Sequence, residues 1–294
     1  LAAPGVDAAA GDYLLAVNGT PIDTDRDPWA AFDGLSEETV ELTLNDRPSM
    51  DGARSVVVET LSWGDMVRLQ YLAWVDAMRT HVDSVSDGRI GYVYVPNTGG
   101  SGQTELVRQF AGQSHKDGLI IDERFNSGGQ LGDRFMELLD RRMYSYIATR
   151  HGPPQPWPPV AHTGPQAMLV NGWAGSGGDA FPWYFQQAER GPVIGTRTWG
   201  GLVGPAIGHP LIDNGVVVVP PGRLYGPDGQ WFAEGRGVDP DIVVPEDPGA
   251  LAQGTDRQLE RAIEEVMNAL ETNAPQRPPR PPFVDRASPP TSGN

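Results

Sequence analysis

Two short runs, Gly118-Leu-Ile-Ile-Asp122 and Ala167-Met-Leu-Val170, carry almost no polar residue, and each leads through a glycine-containing turn into a helix-like segment. A strand with one wet face alternates apolar and polar residues. An unbroken apolar run is instead expected in a parallel sheet covered on both faces. Around these runs strand and helix signals alternate. Ile90-Gly-Tyr-Val-Tyr-Val95, Pro192-Val-Ile-Gly195, Val216-Val-Val-Val219 and Ile242-Val-Val read as strands. Thr104 to about Ala111, Gly132 to Met143, Ala180 to Ala188 and the amphipathic stretch Asp256 to Leu270 read as helices. This alternation predicts an α/β layered domain.

The first 60 or so residues are patterned differently. Gly11-Asp-Tyr-Leu-Leu-Ala-Val17-Asn18-Gly19 reads as a strand closed by an Asn-Gly turn, Trp29-Ala-Ala-Phe32 as a short helix, and Thr39–Leu44 and Ser55–Thr60 as strands. Met66 to about Val85 is helical, with Leu69, Leu72, Val75 and Met78 near helical spacing. The expected organisation is a mostly-β segment over 1–62, a linker helix over 63–87, an α/β core over 88–272 and a Pro-rich, disordered tail over 273–294. Leu1 stands inside a patterned segment, so the chain is expected to be a piece of a longer one.

Composition removes several classes of function. A net charge of −16 over 294 residues argues against nucleic acid or an anionic membrane as partner. With no cysteine there is no disulfide framework, thiol nucleophile or thiolate metal site. The five histidines, His81, His115, His151, His162 and His209, never fall in a metal-ligand spacing, and no metal or organic cofactor is implied. No apolar run approaches a membrane span.

The chemistry-bearing stretch is Asn171-Gly-Trp-Ala-Gly175-Ser176-Gly177-Gly178-Asp179, between the second apolar run and a helix. A serine between glycines at such a junction suits a nucleophile, because the glycines permit a sharp turn and the helix start offers unpaired N–H groups to an oxyanion. A serine that merely caps a helix has the same local signature. Gly128-Gly129, after Asp122-Glu-Arg-Phe-Asn126-Ser, present bare amides where the first run ends, and the Gly177 N–H adds a second donor. The order Ser–acid–His of α/β-hydrolases fits poorly. After Ser176 only His209 remains, in a Gly-Pro-rich loop, with Asp179 and Glu189 between, and Asp179 reads as a helix-dipole acid. A Ser–Lys dyad would need Lys116, the only lysine, which reads as a solvated loop charge at the opposite end of the strands. Glu234, in Trp231-Phe-Ala-Glu234-Gly-Arg-Gly-Val-Asp-Pro-Asp241-Ile, is on its own an ordinary loop carboxylate.

Taken together, the order of Gly88-Arg-Ile-Gly-Tyr-Val-Tyr-Val-Pro, Asp122-x-Arg-Phe-Asn-x-Gly-Gly, Trp173-Ala-Gly-Ser-x-Gly-Asp, Ile194-Gly-Thr-Arg-Thr-Trp-Gly-Gly201 and Glu234-x-x-Gly-Val-Asp-Pro-Asp-Ile resembles the tricorn protease family of serine peptidases, related to the carboxyl-terminal processing peptidases. These motifs cover roughly residues 85 to 272, and residues 1 to about 60 resemble the C-terminal part of a PDZ domain whose carboxylate-binding loop would precede Leu1. The resemblance implies a layered ClpP/crotonase-like core and a small PDZ-like segment. It implies Ser176 as nucleophile, Gly129 and Gly177 as oxyanion donors, and Glu234 as the acid that orients a catalytic imidazole. It also implies peptide substrates, a homo-oligomer and a cytoplasmic setting.

Two departures from the family pattern stand out. The family's histidine lies ahead of the PDZ module, and none of the five histidines here matches its motif; His81 reads as an exposed residue of the linker helix. Between Arg141 and Glu189 the only acid is Asp179, which weighs against a preference for basic substrates, while Tyr144 and Tyr146 hint at an apolar pocket. A non-catalytic peptide-binding module and an acyl-ester hydrolase are the competing readings.

Overall fold

The computed structural model describes residues 1, 3–130, 132–204, 208 and 210–283. It divides into two compact units, Leu1–Asp76 and Ala77–Asn294. In the first unit, β1 (Tyr13–Val17) and β2 (Thr20–Pro21) form a hairpin through Asn18 and Gly19, both at positive φ, as the Asn-Gly signal predicts. A short 3₁₀ turn follows at Pro28–Phe32, then β3 (Thr39–Asn45) and β4 (Arg54–Glu59). The antiparallel sheet runs β2-β1-β3-β4. Its apolar face packs Val17, Val40, Leu42, Leu44 and Val56 into one cluster. Helix α1 (Trp63–Val85) contains the unit boundary; Val75 and Val82 are buried, whereas Leu69 is 51% exposed.

The second unit is built on β5 (Ile90–Tyr94), α2 (Gly100–Gln113), β6 (Gly118–Asp122), α3 (Asp133–Leu139), the small hairpin β7 (Ser145–Ile147) and β8 (Gln155–Trp157), β9 (Gln166–Val170), α4 (Gly177–Gln187), β10 (Val193–Gly195), β11 (Ile242–Val243), α5 (Pro248–Ala252) and α6 (Arg257–Asn273). Its parallel sheet runs β11-β10-β9-β6-β5. Every residue of β5, β6 and β9 is buried, because both faces are covered. Val93, Leu119, Ile121, Met168 and Val170 face Leu106 and Phe110 of α2, Phe135 and Leu139 of α3, and Phe181 and Phe185 of α4. The alternate residues face α6, whose Leu259, Ala262, Ile263, Val266 and Leu270 are withdrawn from water. Each large apolar side chain so buried is worth roughly 1.5–3 kcal/mol, so α6 is held mainly by this stripe.

The C-terminal end of β6 is also tied to α6 by charge. Arg124 Nη2 reaches Asp122 Oδ2 at 2.6 Å and Nη1 reaches Asp256 Oδ2 at 2.8 Å, all three nearly excluded from solvent. Burial opposes the guanidinium charge, but Asp122 and Asp256 more than offset it and hold the proton more tightly than usual. Asp256 in turn caps α6 through the Leu259 N–H.

Three local expectations are corrected. Among the described residues Val216–Val219 form no ladder beyond one bridge between Pro210 and Val216, and they run 51 to 62% exposed into Pro220-Pro221, which cannot donate to a neighbour. Helix α3 stops at Leu139 rather than Met143, because its core-facing residues Phe135, Leu138 and Leu139 end there and Asp140-Arg141-Arg142 offer no apolar face. Helix α2 begins at Gly100, ahead of Thr104, since Asn97 Oδ1 accepts from the Gly99 and Gly102 amides. Within the Pro-rich tail, Arg277 Nη2 donates to the His115 carbonyl; residues 284–294 lie outside the described residues.

Candidate active site

The turn between β9 and α4 holds Ser176 at φ 58° and ψ −112°, a backbone conformation that a residue with a side chain rarely adopts. What holds it there is Asp179, wholly buried, whose two carboxylate oxygens accept four hydrogen bonds. Ser176 N–H (2.8 Å) and Gly201 N–H (3.0 Å) donate to Oδ2; Thr198 Oγ1 (2.6 Å) and Gly200 N–H (2.8 Å) donate to Oδ1. Burial pushes this carboxyl up from its ordinary range while the four donors pull it back. Asp179 is therefore more than a helix-dipole acid: it joins the serine turn to a loop some twenty residues further on.

The second wall comes from the loop after β6. Gly128 lies at φ +84°, and a Cβ there would stand 2.7 Å from Ser176 Cβ and 2.9 Å from the Gly175 carbonyl, so only glycine fits. Asn126 fixes this loop from three sides. Its Oδ1 accepts from Gly128 N–H (2.9 Å), its carbonyl accepts from Gly175 N–H (3.1 Å), and its Nδ2 donates to Glu123 Oε2 (3.1 Å). The Gly129 amide nitrogen lies 3.1 Å from the point a Cβ of Gly177 would occupy. Neither the Gly129 nor the Gly177 N–H donates to an acceptor among the described residues. The hydroxyl of buried Thr98, also without a partner there, lies against Gly177. Two free amides beside a serine hydroxyl can stabilise a negative oxygen forming between them.

Glu234 belongs to a loop stitched onto the same turn. Gly235 N–H donates to the Gly200 carbonyl at 2.7 Å, Val238 N–H donates to Thr198 Oγ1, and Phe232 stacks on Trp183 of α4 with centroids 3.9 Å apart. Glu234 is half-buried rather than an ordinary solvated carboxylate; its Oε2 accepts from Val203 N–H at 2.6 Å, and Oε1 has no partner among the described residues. Ser176, Gly129, Gly177 and Glu234 are thus linked through Asp179, Asn126 and the Thr198–Gly201 loop.

Residues 89–244 match the model of peptidase family S41, and residues 1–62 match that of the tricorn protease PDZ domain. The first match covers just over half of the chain. The chain belongs to peptidase family S41. It is 35% identical over 266 residues to the tricorn protease of Thermoplasma volcanium, an alignment covering 90% of this chain and 25% of that protein. It is 36% identical over 280 residues to tricorn protease homolog 1 of Streptomyces coelicolor, covering 95% and 26%. A crystal structure of the tricorn protease matches with a TM-score of 0.81 at 30% identity, over 89% of this chain and 25% of that one. The chain spans about a quarter of the length of the curated relatives it matches. The expected α/β core with a mostly-β N-terminal segment is borne out.

For an S41 peptidase core, an imidazole is conspicuously lacking beside the serine among the described residues. His81 Nε2 lies 2.6 Å from Glu260 Oε1 on α6. His162 is buried four residues ahead of β9, its Nδ1 3.4 Å from the Ser114 carbonyl, at the N-terminal end of that strand, whereas Ser176 follows its C-terminal end; burial pulls the His162 pKa down. The carbonyls of His115 and His151 accept from Arg277 and Thr149. His209 lies outside the described residues. Lys116, expected to be a solvated charge, is mostly covered, its Nζ 2.5 Å from Asp83 Oδ1 and 2.9 Å from the Gly88 carbonyl, far from the dyad position. Tyr146 lines a cavity with Ser114, Lys116 and Pro153, and Tyr144 is 80% exposed, so neither supports the apolar-pocket hint. Among the described residues no helix is long and apolar enough to cross a membrane, and no cluster of His, Asp and Glu could hold a metal ion.

Sequence reasoning assigned no role to Asn126 or Glu123. Asn two residues before a Gly-Gly is an Asx-turn signal and could have flagged the first; nothing local marks the second. Glu123 is fully buried, its Oε1 without a partner among the described residues, and burial with the nearby Asp179 pushes its carboxyl well above the usual range. In an unfolded chain Glu ionises near about pH 4.3. With the folded value raised, the proton's contribution to stability is complete below the unfolded pKa and is lost as pH rises through the folded one. Relative to Glu123→Gln, the wild type should therefore lose stability over that interval, by about 1.4 kcal/mol per unit of pKa difference. Thermal melts of both proteins from pH 4 to pH 9 check this; parallel curves would remove the buried proton.

Proposed function

We propose that the polypeptide to which these residues belong is a serine endopeptidase of tricorn type that hydrolyses peptides or partly unfolded chains. Ser176 Oγ attacks the scissile carbonyl carbon while an imidazole takes the hydroxyl proton. The carbonyl oxygen becomes an oxyanion and accepts hydrogen bonds from the Gly129 and Gly177 amides. Collapse expels the amine, which takes the proton from the imidazole, and leaves an acyl-enzyme on Ser176. Water, deprotonated by the same imidazole, then releases the acid. Glu234 accepts from the far N–H of that imidazole and holds its tautomer. The imidazole comes from residues outside these 294. The family likeness further supports a homo-oligomer working in the cytoplasm.

The observation that supports this reading is the forced backbone of Ser176 beside two amides without acceptors among the described residues. Ser176 also caps α4, its N–H donating to the Asp179 carboxylate, but a cap needs no positive φ at a residue with a side chain, and that strain is sustained by the three further donors that fix Asp179. A fluorophosphonate probe tests it. Ser176 in the full-length polypeptide should label, the isolated 294-residue chain should label slower by about 10²–10⁴-fold for want of a base, and His209→Ala should leave the full-length rate unchanged. Absence of labelling together with absence of peptide turnover would leave a peptide-binding module. Rapid labelling of the isolated chain that His209→Ala removes would make His209 the base.

A further inference from the structure

Asn126 is the piece that registers the oxyanion loop against the serine turn, and its two side-chain ends are nearly the same shape. As found, Oδ1 faces the Gly128 N–H and Nδ2 faces Glu123 Oε2. Turned over, the carboxamide would set an N–H₂ group against the Gly128 N–H, two donors facing each other, and the loop would lose its anchor. The Gly128 N–H favours Oδ1 from one side, and what sits behind Nδ2 decides whether the other end of the carboxamide is held as well.

Behind it sits Glu123, with no solvent access, its backbone N–H paired to the Leu169 carbonyl of β9. One carboxyl oxygen accepts from Asn126 Nδ2 and the other has no partner among the described residues. A buried carboxyl with a single side-chain partner is costly to keep, and an apolar residue of the same size would fill the space more cheaply. Asp179 carries charge close by and is satisfied by four donors, so of the two carboxyls Glu123 is the one that retains a proton. Protonated on Oε1, it still offers Oε2 as an acceptor.

We propose that Glu123 is a positioning residue of the oxyanion hole: by accepting from Asn126 Nδ2 it locks the carboxamide with Oδ1 towards the Gly128 N–H, and so holds the Gly128-Gly129 strand in register with Ser176. This deepens the peptidase reading and rests on it for its consequence in catalysis, though not for the hydrogen bond itself.

Two experiments separate these. Hydrogen exchange of backbone amides, followed by NMR on the 294-residue chain, should show Gly128 N–H losing about tenfold or more of its protection in Glu123→Met and keeping it in Glu123→Gln, whose carbonyl still accepts, while the Ile120 and Leu169 amides stay protected in both. Unchanged protection at Gly128 in Glu123→Met overturns the proposal. The second experiment exchanges donor and acceptor. Asn126→Asp alone puts a second carboxyl against Glu123, and the pair keeps its hydrogen bond only while one of the two holds a proton, so fluorophosphonate labelling of Ser176 in the full-length polypeptide should fall behind the wild-type rate by about tenfold or more as pH is raised. Adding Glu123→Gln supplies the missing donor and should restore most of that rate, whereas a double variant as slow as the single one overturns the proposal. If the wild type itself fails to label, the peptidase reading falls, and the exchange data still decide the role of Glu123.

Discussion

Asp179→Ala is expected to cost about 3–5 kcal/mol of stability and to end labelling of Ser176. The carboxylate satisfies four donors at 2.6 to 3.0 Å, and three of them are backbone amides that cannot turn elsewhere. Each buried donor left without an acceptor costs about 1–3 kcal/mol, less where water can enter the space vacated. For a unit of this size such a loss lowers the melting temperature by roughly 10 °C. Asp179→Asn keeps one oxygen and turns an N–H₂ group on two of the four donors, so it should fall between. Calorimetry and probe labelling on the three proteins check the order. A drop below about 2 °C in the alanine variant would mean that the turn holds Ser176 by other means.

The strength of this expectation contrasts with how little of it is visible locally. Three of the four donors to Asp179 come from Thr198, Gly200 and Gly201, 19 to 22 residues downstream, and no periodic signal connects them. The sheet was legible for the opposite reason. Leu119–Ile121 and Ala167–Val170 are covered on both faces, so their composition is uniformly apolar and needs no knowledge of the partner. Val216–Val219 have the same composition, yet among the described residues they share only the Pro210–Val216 bridge and stay more than half exposed, so β-propensity alone does not imply a buried ladder. The glycine-flanked turn at Ser176 and the bare amides of Gly128-Gly129 and Gly177 could be read from the strand–glycine–helix grammar, while Gly129 as a donor came from the resemblance. Glu234 could not: its anchor, Val203 N–H, is 31 residues away, and only the resemblance to a peptidase family distinguished it from any other loop carboxylate.

Glu234→Gln is the sharpest test of that carboxylate, because it alters almost nothing except which proton an imidazole can present. In the wild type Oε2 accepts from Val203 N–H and Oε1 is left to accept from a ring N–H. In the variant the single carbonyl oxygen is claimed by Val203, since its alternative is an N–H₂ group facing an N–H. The amide end is thereby directed outward, and an imidazole meeting it must turn an unprotonated nitrogen towards it, which leaves its proton on the nitrogen that should receive the serine hydroxyl's. The corresponding exchange in a Ser-His-Asp triad lowers turnover about 10⁴-fold, and a loss approaching that is expected here in peptide turnover by the full-length polypeptide. The melting temperature should move by no more than about 2 °C, because the Val203 bond survives. Glu234→Ala, which imposes no wrong tautomer but also no orientation, should be impaired less severely than Glu234→Gln. Equal turnover in wild type and Glu234→Gln would remove Glu234 from the proton path, and the imidazole would then need a different acceptor.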